Sequence, residues 1–185
     1  MAVAEKLGVS RSPVREALRV LERDGLITYE PRRGVHVSDI KPQEAEELYL
    51  IHGHLMGLAI KLACQKMALP DVEQLQAMVA SLKAAAVKNN RNDFLLRRAK
   101  IERFIWERSL SPRLAHLLEV MGYPSARYRA FHVSVPGYME KVADCYAGIA
   151  KAFRKKDQIL AENLRGKIID TGLELLQRYF IHPPG

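Results

Sequence analysis

The chain has 185 residues, of which 48% are hydrophobic and 27% charged; that balance supports a folded core and excludes a disordered, low-complexity or collagen-like protein. Lysine and arginine number 29 against 21 acidic residues, a net charge of +8, which points towards nucleic acid as one partner to consider. The longest nearly uninterrupted apolar stretch, Leu55–Ile60, is far below the roughly 20 residues that cross a bilayer, and the start MAVAEKLGVS carries no secretory pattern.

The pattern changes near residue 40, and the sequence predicts two domains, 1–40 and 41–185, divided at Asp39-Ile40-Lys41-Pro42. In the first, Ala2 to Leu7 reads as a short helix closed by Gly8. A second helix is expected from Ser12, with Pro13 at its first position, to Asp24. Its stripe Val14, Ala17, Leu18 and Leu21 has the 3.6-residue period of a face turned to a core. After Gly25, Leu26–Glu30 alternates as a strand, Pro31-Arg32-Arg33-Gly34 reads as a turn, and Val35–Val37 returns as a second strand.

Arg11, Arg15 and Arg19 recur every four residues along the second helix, on the side away from the apolar stripe. Arginine in such a row can pair with guanine edges in a major groove or with phosphates. Ser10 and Ser12 stand where hydroxyls can donate to phosphate at a helix start. The hairpin tip adds Arg32, Arg33, Gly34 and His36, a basic turn able to enter a minor groove. The competing reading is a solvated face in which these arginines pair with Glu16, Glu22, Asp24 and Glu30, because residues 1–40 hold seven basic and six acidic groups.

Residues 41–185 read as a bundle of long antiparallel helices: Gln43–Met67, Asp71–Lys88 after Pro70, Asn92–Leu110, Arg113–His132 with a kink or break at Gly122 and Pro124, Tyr138–Lys156, and Gln158–Phe180. Cys64 and Cys145 fall in apolar helical patterns and are expected to be buried and reduced, as in a cytoplasmic protein. No nucleophile motif, phosphate-cradling glycine loop or C-x-x-C is present, so no enzyme is expected.

The run LGVSRSPVREALRVLERDGLI followed by RRGVHV resembles the winged helix-turn-helix of the GntR family of bacterial transcription regulators. The resemblance implies a recognition helix from about Ser12, with Arg11 and Arg15 as base or phosphate contacts and a wing centred on Gly34. It also places Met1 where the second helix of that module starts, so the module is expected to lack its first helix. Behind it, EELYLIHGHLMGLAIKLA, ERFIWERSLSPRLAHLLEVM and YAGIAKAFRKKD are similar to the all-helical ligand-binding (FCD) domain of the FadR-type branch. The fold class implied is mostly α, a winged helix-turn-helix plus an antiparallel bundle of six or seven helices around a cavity. The function implied is a cytoplasmic, homodimeric regulator, more often a repressor, that binds operator DNA and senses a small organic acid. The alternative is a helical ligand-binding or dimerisation protein that has lost specific DNA binding.

Many such domains hold a divalent metal with one Asp and three His. In this sequence those places fall on Arg98, Glu102, Tyr146, and Lys167 or Ile168, while His52 replaces an arginine and Met56 a glutamate common on the first bundle helix. Arginine and lysine are not ligands at neutral pH, so no metal and no other cofactor is expected. The effector is instead expected to be an anion held by Arg98, with Lys167 adding charge and Tyr146 and His52 adding hydrogen bonds. The competing reading makes Arg98 and Glu102 a plain intrahelical ion pair.

Overall fold

A computed structural model describes residues 2–23, 25–31, 33–38 and 42–181. The chain forms two compact units, Met1–Ile40 and Lys41–Gly185. The first holds α1 (Ala2–Leu7), α2 (Arg11–Arg23) and the strands β1 (Ile27–Glu30) and β2 (Gly34–Val37). The second holds α3 (Pro42–Lys66), α4 (Leu69–Val87), α5 (Arg91–Arg108), α6 (Pro112–His132), α7 (Tyr138–Arg154) and α8 (Gln158–Leu176), followed by a π-helical turn at Gln177–Ile181.

In the first unit, Gly8 ends α1 and Gly25 ends α2, both with positive φ (64° and 70°), the conformation that costs glycine least. The antiparallel hairpin pairs Ile27 with Val37 and Glu30 with Gly34. Gly34, at φ 87°, turns the chain into β2. Two details depart from the sequence reading. The second helix starts at Arg11, so Ser12 and Pro13 lie inside its first turn, where a missing amide hydrogen breaks no helical bond. The stripe of α2 also stays open: Val14 and Leu18 are only half-buried, Ala17 is exposed, and no α2 residue is buried. Two short helices and a hairpin offer one layer, too little to close over an apolar face.

In the second unit, α3 packs against α8, α6 and α5, and α7 packs against α8 and α4. The reason is periodicity. Ala45, Tyr49, Met56, Ala59, Ile60 and Ala63 bury one stripe of α3; Tyr138, Val142, Tyr146, Ile149 and Phe153 bury one of α7. Asn90 caps α5 by accepting from the Asp93 amide (3.1 Å), and Asp157 caps α8 by accepting from Leu160 (3.0 Å). Cys64 is buried and Cys145 half-buried, both as free thiols. No helix among the described residues is long and apolar enough to cross a membrane.

Three helix ends differ from the sequence reading. α4 begins at Leu69, with Pro70 in its first turn rather than ahead of it. α6 runs from Pro112 to His132 without a break. Pro124 withdraws one amide from the ladder, a cost of about 3 kcal/mol, yet the backbone stays helical across it. The last helix stops at Leu176 and passes into the π turn.

Gly172 on α8 is a point of close approach: a methyl group there would overlap the ring of Tyr49 on α3. Gly166, on the same helix, faces open space. Gly172→Ala should therefore destabilise the protein by about 1–3 kcal/mol, whereas Gly166→Ala should be neutral or stabilise it by up to about 1 kcal/mol. Urea unfolding midpoints of the two variants check this contrast.

Candidate functional site

On the first unit, Ser10, Arg11, Ser12, Arg15 and Arg19 are all exposed. Among the described residues, the side chains of Arg11, Arg15 and Arg19 make no ion pair, so the row is not folded back on its own carboxylates. Arg33 reaches Glu30 at 3.5 Å with its side chain 77% exposed, a contact worth little in water. His36 donates through Nε2 to the Arg33 carbonyl at 3.1 Å and so ties the strand to the turn before Gly34. Arg32 lies outside the described residues.

On the second unit, charge is buried in the core. The inward stripe of α5 is Phe94, Arg98, Ile101, Glu102 and Ile105, with both charged residues inside it. Arg98 Nε donates to Glu102 Oε1 at 3.2 Å, and Tyr146 on α7 donates its hydroxyl to the same oxygen at 2.8 Å. Arg165, in the inward stripe Ala161, Arg165, Ile168, Gly172 of α8, adds a third donor to Oε1 at 3.4 Å. Arg129 on α6 reaches Oε2 at 3.4 Å and also donates to the Gly122 carbonyl at 2.8 Å. One carboxylate is thus surrounded by three guanidiniums and a phenol.

An aromatic group continues the network. Arg98 Nη1 donates to the Tyr138 hydroxyl at 3.1 Å, which lies 3.4 Å from that of Tyr49. The His132 ring stacks on Tyr138, meets Tyr49 edge-on, and donates from Nε2 to the Gly172 carbonyl at 3.0 Å. His52 on α3 is buried, and its Nε2 has no partner in the protein; Nε of Arg165 and Nδ1 of His132 also lack one.

Burial alone would push Glu102 up, but Arg98, Arg129 and Arg165 together hold it well below the usual carboxylate range. Burial, aided by the same guanidiniums, depresses His52 to about 3 against the pull of Glu102. His132 falls to about 4, through burial first and Arg98 second. Burial likewise lowers Arg129, with Arg98 and Arg165 repelling it and Glu102 opposing the shift. At neutral pH the histidines carry no charge, and the cluster holds three positive groups and one negative.

Beside the cluster opens a pocket of about 380 Å³, lined by His52, Glu102, Glu119 and Arg129 and by Leu96, Ala99 and Trp106 of α5, with Lys100 and Arg103. Arg129 is the cluster guanidinium that reaches it; its side chain is 13% exposed, against 2% and 3% for Arg98 and Arg165. Of the residues singled out from sequence, His52, Arg98, Glu102 and Tyr146 come together. Lys167 does not: it lies on the exposed side of α8, and Arg165 takes the inward place. Two residues along a helix turn a side chain about 200°, so the two positions cannot share a face. Arg98, expected to hold an effector, donates to Glu102 and Tyr138 and is not one of the residues lining this pocket. Arg129 and Arg165 escaped the sequence reading. Arg165 was visible as an arginine inside an apolar stripe; Arg129 gives no local signal, because its partner is far along the chain.

Among the described residues no group of three or more His, Cys, Asp or Glu could hold a metal ion. The buried cluster offers guanidiniums, one carboxylate and a phenol, a donor set that does not fit a metal.

Both histidines bind fewer protons folded than unfolded at mildly acid pH, so stability rises with pH up to about 6.5 and is lost as pH falls below it. At pH 5 each should cost about 2 kcal/mol relative to neutral pH. Denaturant titrations at pH 5 and pH 7.5 measure it, and replacing His52 and His132 with apolar residues should flatten the difference. Glu102→Gln leaves three guanidiniums without a counter-charge and should cost about 3–5 kcal/mol at pH 7.5, read from the same titration.

The FCD domain family matches residues 47–171, and the family described as bacterial regulatory proteins, gntR family, matches residues 1–37. The uncharacterised HTH-type transcriptional regulator YdhC of Bacillus subtilis is 32% identical over 63% of the chain, which spans 53% of that relative's length. The HTH-type transcriptional regulator McbR of Escherichia coli is 23% identical over 96% of the chain and 81% of its own length. The solved structure of E. coli McbR/YncC superposes with a TM-score of 0.83 at 22% identity, covering 95% of this chain and 84% of that one. A putative GntR regulator from Rhodococcus sp. RHA1 gives 0.77 at 16% identity, over 97% and 86%. With an FCD domain over most of its length and a gntR-type module ahead of it, the chain belongs to the gntR family of bacterial regulatory proteins, in the group that carries an FCD domain.

Proposed function

We propose that the protein is a DNA-binding transcription regulator whose helical unit responds to a small anionic effector. The observation that carries this reading is the separation of two kinds of positive charge. One is an exposed row, Arg11, Arg15 and Arg19, with no ion pair among the described residues. The other is a buried cluster beside a pocket. An exposed row on a helix carries affinity for a polyanion; a buried one stores attraction for a small ion.

In this reading α2 is the recognition helix. Ser10, Arg11, Ser12, Arg15 and Arg19 face the major groove and its phosphates, and Arg32, Arg33, Gly34 and His36 form the wing. Domain 1–40 binds DNA, and domain 41–185 binds the effector and pairs two chains, so that two heads meet two half-sites. Repression in the cytoplasm is the expected mode. Effector binding acts through its different affinity for two arrangements of the dimer.

A second reading has one observation in its favour. Ala4 is the one buried residue among those described in residues 1–40, so few apolar contacts hold this unit together. The helical unit would then work without specific DNA binding. Selection of binding sites from a random DNA pool, followed by a salt series, separates the two. A regulator should bind its selected site about 10³-fold or more above random DNA. Arg11→Ala and Arg15→Ala should each weaken binding and lower the salt slope by about one. Equal affinity for selected and random DNA favours the second reading.

A further inference from the structure

Among the described residues, the buried cluster of the helical unit holds more positive than negative charge. Arg98, Arg129 and Arg165 surround Glu102, and all four are buried or nearly so. Three guanidiniums and one carboxylate leave two positive charges without a counter-charge within the cluster. Water cannot screen them as it would on a surface. A metal at this place would add to the imbalance rather than relieve it.

One of the polar groups that lack partners lines the pocket. His52 Nε2 is unpartnered, and His52 forms part of the pocket with Arg129 and Glu102. Nε of Arg165 is unpartnered too. Leu96, Ala99 and Trp106 of α5 add apolar surface to the lining, and Lys100, Arg103 and Glu119 add further charged groups.

We propose that this is a metal-independent receptor site for a small dianion with an apolar body. Its acidic groups lie against Arg129 and His52, and its body lies on Leu96, Ala99 and Trp106. Glu102 is a built-in counter-ion: it keeps the arginines from repelling one another while the pocket is empty, yet it cancels one charge of three, so the remaining attraction favours two negative charges over one. A dicarboxylate and a phosphate monoester share this chemistry. The inference rests on the reading of the helical unit as an effector receptor.

The test is calorimetric titration of the full chain, treated with chelator and dialysed, with four compounds of similar shape: phthalate, phenyl phosphate, benzoate and benzamide. At least one of the two dianions should bind about tenfold or more tighter than benzoate, with benzamide weakest; whichever dianion wins identifies the acid as carboxylate or phosphate. Adding Zn²⁺ or Mn²⁺ should leave the order unchanged. Arg129→Gln should abolish the preference for the dianion, and Arg129→Lys, which keeps the charge, should retain it with weaker binding. Binding only with added metal, or benzoate and benzamide bound as tightly as the dianions, overturns the proposal. If benzamide binds and Trp106→Ala removes that binding, the unit is still a receptor and only the charge assignment fails. If none of the four binds in any arm, the receptor reading falls with it.

Discussion

A single carboxylate holds the helical unit in register. Glu102 stands on α5 and accepts from Arg98 on its own helix, Arg129 on α6, Tyr146 on α7 and Arg165 on α8. Four helices therefore meet at two oxygen atoms. A buried ion of this kind stabilises little by itself, because removing charges from water costs about as much as their attraction returns. What it supplies is selectivity among packings. An arrangement that moves one helix by a turn would strand a carboxylate or a guanidinium in the core, at a cost of several kcal/mol.

The aromatic groups extend this constraint to α3. Tyr138 takes a hydrogen bond from Arg98 and passes contact to Tyr49, while His132 fills the space between the two rings and fixes itself to α8 through the Gly172 carbonyl. The ring of Tyr49 fits only because position 172 has no side chain. Polar and apolar packing are therefore one system here, and any ligand that moves Arg129 acts on a network that joins five of the six helices.

Helices were readable in the sequence because apolar residues recur at 3.6-residue intervals and because glycine and proline mark the ends. The exceptions have physical reasons. Pro70 and Pro13 were read as boundaries, although a first helical turn tolerates proline in any of its positions. Pro124 was read as a break, although the backbone stays helical across it. The site was legible where chemistry broke the period: Arg98 and Glu102 interrupt an apolar stripe four residues apart. Of the two positions offered for the fourth member, Lys167 is exposed and Ile168 is inward but apolar, and the inward charged residue is Arg165. Arg129 could not have been found, since only the closed bundle brings it to Glu102.

The spacing of Arg98 and Glu102 also bears on how the chain assembles. An i,i+4 pair forms within one helix, so the carboxylate has a companion before any tertiary contact exists. The pairing is weak, since arginine precedes the acid and opposes the helix dipole. Arg129 and Arg165 arrive from later segments, α8 last of all. On the ribosome, Glu102 would remain poorly neutralised until the final helix emerges, and completion of the bundle would wait on that arrival. A nascent chain that stops short of α8 would hold an exposed carboxylate in a half-built interior, a state open to proteolysis.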